Sequence, residues 1–319
     1  MKLLQLSGQT QQANDENAAL RAVVINEMSG AAPILNFAEF YEMTGNADTP
    51  LKAATAAGGA ERTINNDYPD NRTAPTYGSV ALKIYGDKIE TDLAYERRGL
   101  DIGSERTRQL VTFSQALGRH VQDHIVNGDA DSDAKQFNGL KKRIGTNESI
   151  VLGGGANGAQ VLLGNSDSAV ASQQMFKEYV DELLASVVGG ASVLLVPPKG
   201  ISRMTTIGMQ FVQKGAVDAV FAEQLGVYNG VPVVNAGYKK NGSSLVIGYA
   251  ETQGTSTDCT SFYAVRFGEK ENTTFATNVG VQVKDRGLVG VLYTTMVDFD
   301  LDMEILNPKS AWRLKGIRF

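Results

Sequence analysis

Residues 77–95 read YGSVALKIYGDKIETDLAY, and the way this stretch folds decides the architecture. Val80, Leu82 and Ile84 alternate with Ala81, Lys83 and Tyr85, the period-2 pattern of a half-buried strand. Gly86-Asp87 is a Gly-X pair suited to a two-residue hairpin loop, and Lys88 to Leu93 reads as the return strand. A loop of that length sets the register: Ile84 opposite Ile89, Lys83 opposite Glu90, Val80 opposite Leu93. Such a hairpin would reach roughly 25 Å at ~3.3 Å per residue. Two strands alone are marginal in water. The apolar face must therefore dock on its own domain or on another subunit.

Upstream, Asn14 to Met28 has helical spacing, with Leu20, Val23, Val24 and Met28 on one face and Gly30 as its stop. Ala31 to Tyr41 is apolar but interrupted by Pro33. Gly45 to Tyr77 is rich in Asn, Thr, Ala, Gly and Pro without a period. Such a segment cannot bury enough apolar surface to order itself alone. It reads as an arm that becomes ordered only against something else.

Downstream, Arg97-Arg98-Gly99 ends the hairpin and Asp101 to Asn127 reads as a long helix, with Leu110, Phe113, Leu117 and Val121 on one face and Gly128 as the stop. Ala130 to Gln136 is a polar loop, after which Phe137 to Leu140 returns the chain to a packed layer. A second helix follows caps at Asn165-Ser166-Asp167, with Phe176, Val180, Leu183 and Val187 as its stripe. Ser192 to Val196 is a buried-type strand, and Ile201, Met204, Ile207 and Phe211 mark another helix. Strands are predicted at Val231–Val234, Leu245–Tyr249 and Phe262–Phe267. At the end, Val297, Phe299, Leu301, Met303 and Ile305 alternate with Asp298, Asp300, Asp302 and Glu304, a strand with an all-carboxylate outer face. Asn307 to Ser310 is turn chemistry, which would pair this strand with 311–319 and set Glu304 against Arg313 and Asp302 against Lys315. A bulge at Gly316 would bring Arg318 opposite Asp300.

Composition excludes several function classes. The net charge is −5, and the basic clusters, Lys141-Lys142-Arg143 and Lys239-Lys240, are short and scattered, unlike the stripe of a nucleic-acid reader. Cys259 is the single cysteine, so no intrachain disulfide or cysteine zinc site is available. The N-terminus turns polar at Ser7, too early for a signal peptide, and no apolar run suits a membrane helix. His120-Val121-Gln122-Asp123-His124 resembles the inverted zinc motif H-x-x-E-H with Asp for Glu. Both histidines fall in or beside the apolar helix face, so packing is the preferred reading. Gly153 to Gly158 satisfies G-x-G-x-x-G, but Gly164 breaks any helix after it. The terminal carboxylates diverge along one strand and are read as a solvated or salt-paired face. No G-x-S-x-G is present. No catalytic residue, cofactor or metal is expected.

The order of elements, an arm, a hairpin, a long helix, a mixed domain and an acidic terminal strand pair, resembles the major capsid proteins of tailed bacteriophages, with the Hong Kong phage capsid fold. Tyr77 to Tyr95 resembles the family's extended E-loop. The helix ending Asn127-Gly128-Asp129, with Phe137-Asn138-Gly139-Leu140 after it, resembles the spine helix. Tyr228 to Val234 resembles a strand of the axial domain, and Leu306-Asn307-Pro308 through Phe319 resembles the closing strands of the peripheral domain. Ile34 to Phe37, through Gly45-Asn46, resembles the arm of a subgroup without maturation cleavage.

The resemblance implies an α+β capsid subunit. Its parts are an arm over 1–76, an E-loop hairpin over 77–97, a peripheral domain with the spine helix over 98–189, an axial domain over 190–277 and closing strands over 278–319. It implies pentamers and hexamers tiling an icosahedral shell around double-stranded DNA, assembled in the bacterial cytoplasm and ending as the virion capsid. Partners would be other copies of the chain, a portal, scaffolding and decoration or cement proteins, and non-specific DNA contacts, with no membrane. No counterpart of the family's long scaffolding segment is read before residue 1, which implies its removal or a separate scaffold. Expected contact residues are Lys83, Ile84, Asp87, Lys88 and Glu90 on the hairpin, Arg97 and Arg98 beside the long helix, and Asp285, Arg286, Asp298 and Asp300 near the C-terminus. The nearest alternative is an encapsulin-type compartment shell; from another class, a metal-dependent hydrolase on His120, Asp123 and His124. Some family members cross-link a hairpin lysine to an asparagine, but the matching loop here, Lys284-Asp285-Arg286-Gly287, has none. Assembled particles are therefore expected to run as single chains on a denaturing gel; a ladder of covalent multimers would overturn this.

Overall fold

Alternating apolar residues build two sheets around a shared core in the computed structural model, which describes residues 1–3, 5, 17–52, 61–67, 75–208, 212–213 and 226–319. In chain order the strands begin with β1 (Phe40–Glu42), β2 (Ala47–Asp48), β3 (Leu51–Lys52), β4 (Thr76–Tyr77), β5 (Val80–Ala81) and β6 (Lys83–Asp92). There follow β7 (Ser149–Val151), β8 (Ala159–Gln160), β9 (Val193–Val196), β10 (Val212–Gln213), β11 (Gly226–Tyr228) and β12 (Val231–Asn235). The last are β13 (Glu251–Gln253), β14 (Ser256–Val265), β15 (Thr273–Thr277), β16 (Val281–Val289), β17 (Leu292–Ile305) and β18 (Ala311–Arg318). The helices are α1 (Ala18–Ala31), α2 (Ala94–Arg97), α3 (Ile102–Asn127), α4 (Leu140–Arg143), α5 (Asp167–Ser186) and α6 (Pro198–Thr206).

Helix α3 forms as its sequence requires. The Asp101 carboxylate caps it by accepting from the Gly103 and Ser104 N–H groups, and Leu110, Leu117, Val121 and Ile125 bury one stripe. Helix α1 lies across it through Val24, Ile25 and Met28, all buried. The close crossing depends on Gly118: a β-carbon there would meet the Met28 carbonyl oxygen at 2.6 Å. Helix α1 begins at Ala18 and runs through Gly30; the expected start at Asn14 lies outside the described residues, as do Ser7, Phe211 and the arm residues 53–60 and 68–74.

The first sheet hangs on β17, a 14-residue strand bonded along both edges. β15 and β16 follow one another along one edge, β6 runs antiparallel along the other, and β1 extends the sheet beside β15. Tyr85, Val297, Phe299, Leu301 and Met303 face inward beneath α1 and α3. The second sheet runs β10-β11-β12-β9-β14-β18-β7, with β13 beside β14 and β8 beside β18. It is buried on both faces, which explains the unbroken apolar run of β9. Val193, Leu195, Tyr263 and Val265 face the core shared with the first sheet; Leu194, Val196, Phe262 and Leu314 face Phe176, Val180 and Leu183 of α5. Ser166 caps α5, as expected.

Two pairings read from the sequence are overturned. Residues 83–92 are one continuous strand with no turn at Gly86-Asp87, and their partner is β17: Tyr85 opposite Phe299, Gly86 opposite Asp298. Gly86 serves close approach, because a β-carbon there would sit 2.1 Å from the Val297 carbonyl oxygen. Alternation is accordingly inverted: Tyr85 is buried and Ile84 is 74% exposed. Glu90 pairs with Lys88 (2.6 Å), not with Lys83. The last two strands also do not pair: β17 lies in the first sheet and β18 in the second, against β14, β7 and β8. Arg313 and Arg318 take Glu251 and Asp258 as partners, at 2.9 Å each, in place of Glu304 and Asp300. The β14–β18 register does shift at Gly316, where the Gly158 backbone packs against it. The glycines at 153–158 thus turn the chain between two short strands beside β18. Leu245–Tyr249 is not a strand; only Leu245 makes a bridge, to Tyr238.

The α1–α3 crossing yields a direct test. Gly118→Val should destabilise the chain by about 1–3 kcal/mol, the usual cost of overpacking, read as a lower denaturation midpoint. An unchanged midpoint would remove the crossing as a stabilising contact.

Candidate assembly surface

The stretch read as an unordered arm forms a narrow ribbon. Ala47 and Asp48 pair with Ala81 and Val80, and Leu51 and Lys52 pair with Tyr77 and Thr76. The ribbon is exposed: Leu51 and Tyr77, directly opposite each other, are 58% and 59% accessible, and Ile64 farther out is 89%. Residues 53–60 and 68–74 lie outside the described part. The ribbon thus joins 47–52 to 76–81, while 83–92 runs in the first sheet beside β17.

Its base is tied down. Val80 packs with Tyr41, Met43 and Ala276, and the Ala81 N–H donates to Asp302 Oδ2 (2.7 Å). Lys52 Nζ lies 3.0 Å from Glu304 Oε1, and Gly78 leaves room for the Glu304 side chain. Arg143, carried in by α4, bonds Glu304 through Nη1, approaches Asp302 at 3.7 Å and donates from Nε to the Asn138 carbonyl. Both carboxylates are about as buried as core residues, at 4% exposure. Burial pushes the Asp302 carboxyl up, against the opposing pull of the Ala81 N–H and Arg143. The acidic strand is therefore not one face with one role. Asp298 is exposed, Asp300 is half-buried and accepts from the Asn278 amide (2.8 Å), and Asp302 and Glu304 form the interior of a charged clamp.

The expected contact residues fall into three groups. Ile84, Lys88 and Glu90 share the outer face of the first sheet with Asp298 and Asp300, which lie opposite Gly86 and Ile84. Lys83 is half-buried at the end of the same strand, and Asp87 is exposed on the side toward α3. Arg97 and Arg98 are exposed at the end of α2, a helix preceded by Leu93, whose N–H donates to the Val291 carbonyl next to the start of β17. Asp285 is engaged within the chain: Arg106 bonds it at 2.7 Å and stacks 5.0 Å over the Tyr293 ring. Burial works to raise the Asp285 carboxyl, yet Arg106 and the Gly287 N–H hold it below the usual range. Arg286 beside it is exposed.

Sequence reasoning missed Arg143 and Lys52, since nothing local marks a surface-like basic residue as a clamp. It also missed the exposed Leu288, Val289 and Val291 around the β16–β17 turn at Gly290, although the apolar residues flanking one glycine were a usable signal.

The histidines are packed. His120 and His124 lie 4.2 Å apart between centroids, their rings tilted by 56°, and meet Tyr85 edge-on, and Phe137 closes the group against Tyr85 and His124. His124 Nδ1 is bonded to the Tyr85 hydroxyl at 2.9 Å. Asp123 turns to Lys239 (3.2 Å) and Asn127 (2.7 Å). Asp123 of the inverted zinc motif thus has other partners than the two histidines, and among the described residues no cluster of three or more ligands is placed to hold a metal. No helix among them is long and apolar enough to cross a membrane.

No protein-family model matches the chain, and no curated protein matches it. Solved structures do. It is similar to the holo-SrpI encapsulin complex of Synechococcus elongatus PCC 7942, with a TM-score of 0.60 and 13% identity over 89% of this chain and 87% of that one. The capsid of a native GTA particle gives a TM-score of 0.55 and 15% identity, covering 90% of each chain. A chain of Mycobacterium phage Bobi gives 0.52 and 11%, covering 89% of each.

The clamp is tested by breaking it. Arg143→Met leaves two buried carboxylates short of a partner and should cost about 3–5 kcal/mol of stability. Adding Glu304→Met should restore part of the loss in denaturant unfolding. No loss from the single change would place the carboxylates in water.

Proposed function

We propose that this chain, which has the Hong Kong phage-type capsid fold, is a structural subunit that assembles with copies of itself into a closed shell around double-stranded DNA, as the major capsid protein of a tailed phage. The observation that supports this is the anchored ribbon and the exposed apolar side chains that accompany it. Its base is held by a buried charge clamp, while Leu51, Tyr77 and Ile64 stand in solvent. A lone molecule gains nothing from displaying them. A neighbour that covers them supplies the missing burial.

The acceptor proposed is the outer face of the first sheet, with Ile84, Lys88, Glu90, Asp298 and Asp300, extended by Arg97, Arg98 and Arg286. Donor and acceptor are different patches of one chain. Such heterologous contacts close into rings when the rotation closes, which suits pentamers and hexamers. Lys83 and Asp87 would sit at the margin of the contact, and Asp285 would act by holding Arg106. Portal, scaffold and decoration or cement partners, non-specific DNA contacts and assembly in the bacterial cytoplasm belong to the same reading. The role is structural and uses no cofactor.

A second reading, an encapsulin-type compartment around protein cargo, is favoured by the likeness to the Synechococcus shell, at a TM-score of 0.60. The contents distinguish them. Nuclease-treated particles should retain double-stranded DNA under the first reading and co-purifying enzyme under the second.

The docking claim has its own test. Ile84 is 74% exposed in the single chain, so Ile84→Asp should barely change stability. It should sharply reduce particles in electron microscopy and sedimentation while the subunit stays soluble and folded. Normal particles would count against this acceptor surface.

A further inference from the structure

Strand β6 is held to helix α3 through one aromatic group. Tyr85, 4% exposed, enters between Phe137 and the two histidines, and its hydroxyl meets His124 Nδ1. Its neighbour in sequence, Ile84, points outward. A cavity of about 300 Å³ opens beside this contact, lined by Tyr85, Asp87, Phe113, His120, His124 and Lys240 among others. Room therefore exists for water to reach the imidazoles and for the tyrosine to withdraw.

We propose that the His120–His124 pair is an acid-sensitive latch that keeps Tyr85, and with it the Ile84 end of β6, seated on α3 and releases it when the imidazoles are protonated. In the tautomer that carries its proton on Nε2, a neutral His124 accepts the tyrosine O–H at Nδ1. Once protonated, that nitrogen becomes a donor and the bond must reverse. Two imidazolium rings 4.2 Å apart also repel each other.

The surroundings do not neutralise them. Asp123, on the same helix, is already paired with Lys239 and Asn127. The loop after α3 contributes Asp133 and Lys135, β6 contributes Asp87 and the Tyr85 phenol, and the segment beyond β12 brings Lys239 and Lys240. Burial and Lys240 lower His120. Burial, then His120, lower His124 to about 4, with Lys239 adding to this and Asp123 and Asp133 opposing it. Folded-state values below the ordinary ~6.5 mean that the released state binds protons more tightly. The contact is at full strength above about pH 6.5 and weakens as pH falls toward the folded-state value.

Hydrogen exchange of peptides spanning 83–92 in the full chain, corrected for the intrinsic pH dependence of amide exchange, tests the latch whether or not particles form. Protection should fall between pH 7 and 4 in the native chain and stay flat in His120→Gln/His124→Gln. Loss of protection in both, or in neither, would overturn the proposal. Lys240→Met keeps both histidines and gives an independent reading. Removing the neighbouring cation should move the midpoint to higher pH, and an unmoved or lowered midpoint would also overturn it.

Discussion

Asp302 and Glu304 lie two residues apart on one face of β17, buried, with Arg143 reaching both. Removing carboxylates from water costs several kcal/mol each unless partners replace the lost solvation. That constraint reaches far along the chain. It requires α4 to end where its last residue can reach the sheet. It requires Lys52 and the Ala81 N–H to arrive from the ribbon, and Gly78 to leave space for the Glu304 side chain. The clamp thus fixes where the ribbon leaves the body of the molecule.

A firm base with Leu51 and Tyr77 exposed suits the contact proposed with a neighbouring copy. β17 is bonded along both edges over 292–299, and at the clamp it is paired with β15. β6 is held from two sides, by β17 in the sheet and by Tyr85 on α3. The first linkage is made by backbone hydrogen bonds, while the second runs through two imidazoles. The outer face of β6 is therefore the part of the sheet whose position can respond to conditions.

The similar solved structures share only 11–15% of their residues with this chain across about nine-tenths of its length. At that distance what persists is the arrangement of elements. An apolar helix stripe, a doubly buried sheet and a shared central strand can be met by many side chains of suitable size. The clamp and the histidine box are features of this chain's own residues, described from its own geometry.

Local sequence determined the elements whose partners are near in the chain. Asp101 and the stripe from Leu110 to Val121 place α3, Ser166 places α5, and the apolar run ending at Val196 marks a strand buried on both faces. Tertiary structure alone decided which strands meet. A Gly-Asp pair suits a hairpin turn and equally a flat strand pressed against another backbone, and only the Val297 carbonyl beside Gly86 distinguishes them. Strict alternation in 297–305 shows that one face is apolar but is silent about what covers the other, since Arg143 and Lys52 arrive from 161 and 252 residues away from Glu304. Periodicity records burial, a property of each residue; pairing is a property of two distant segments, and its energy appears only once the chain has brought them together.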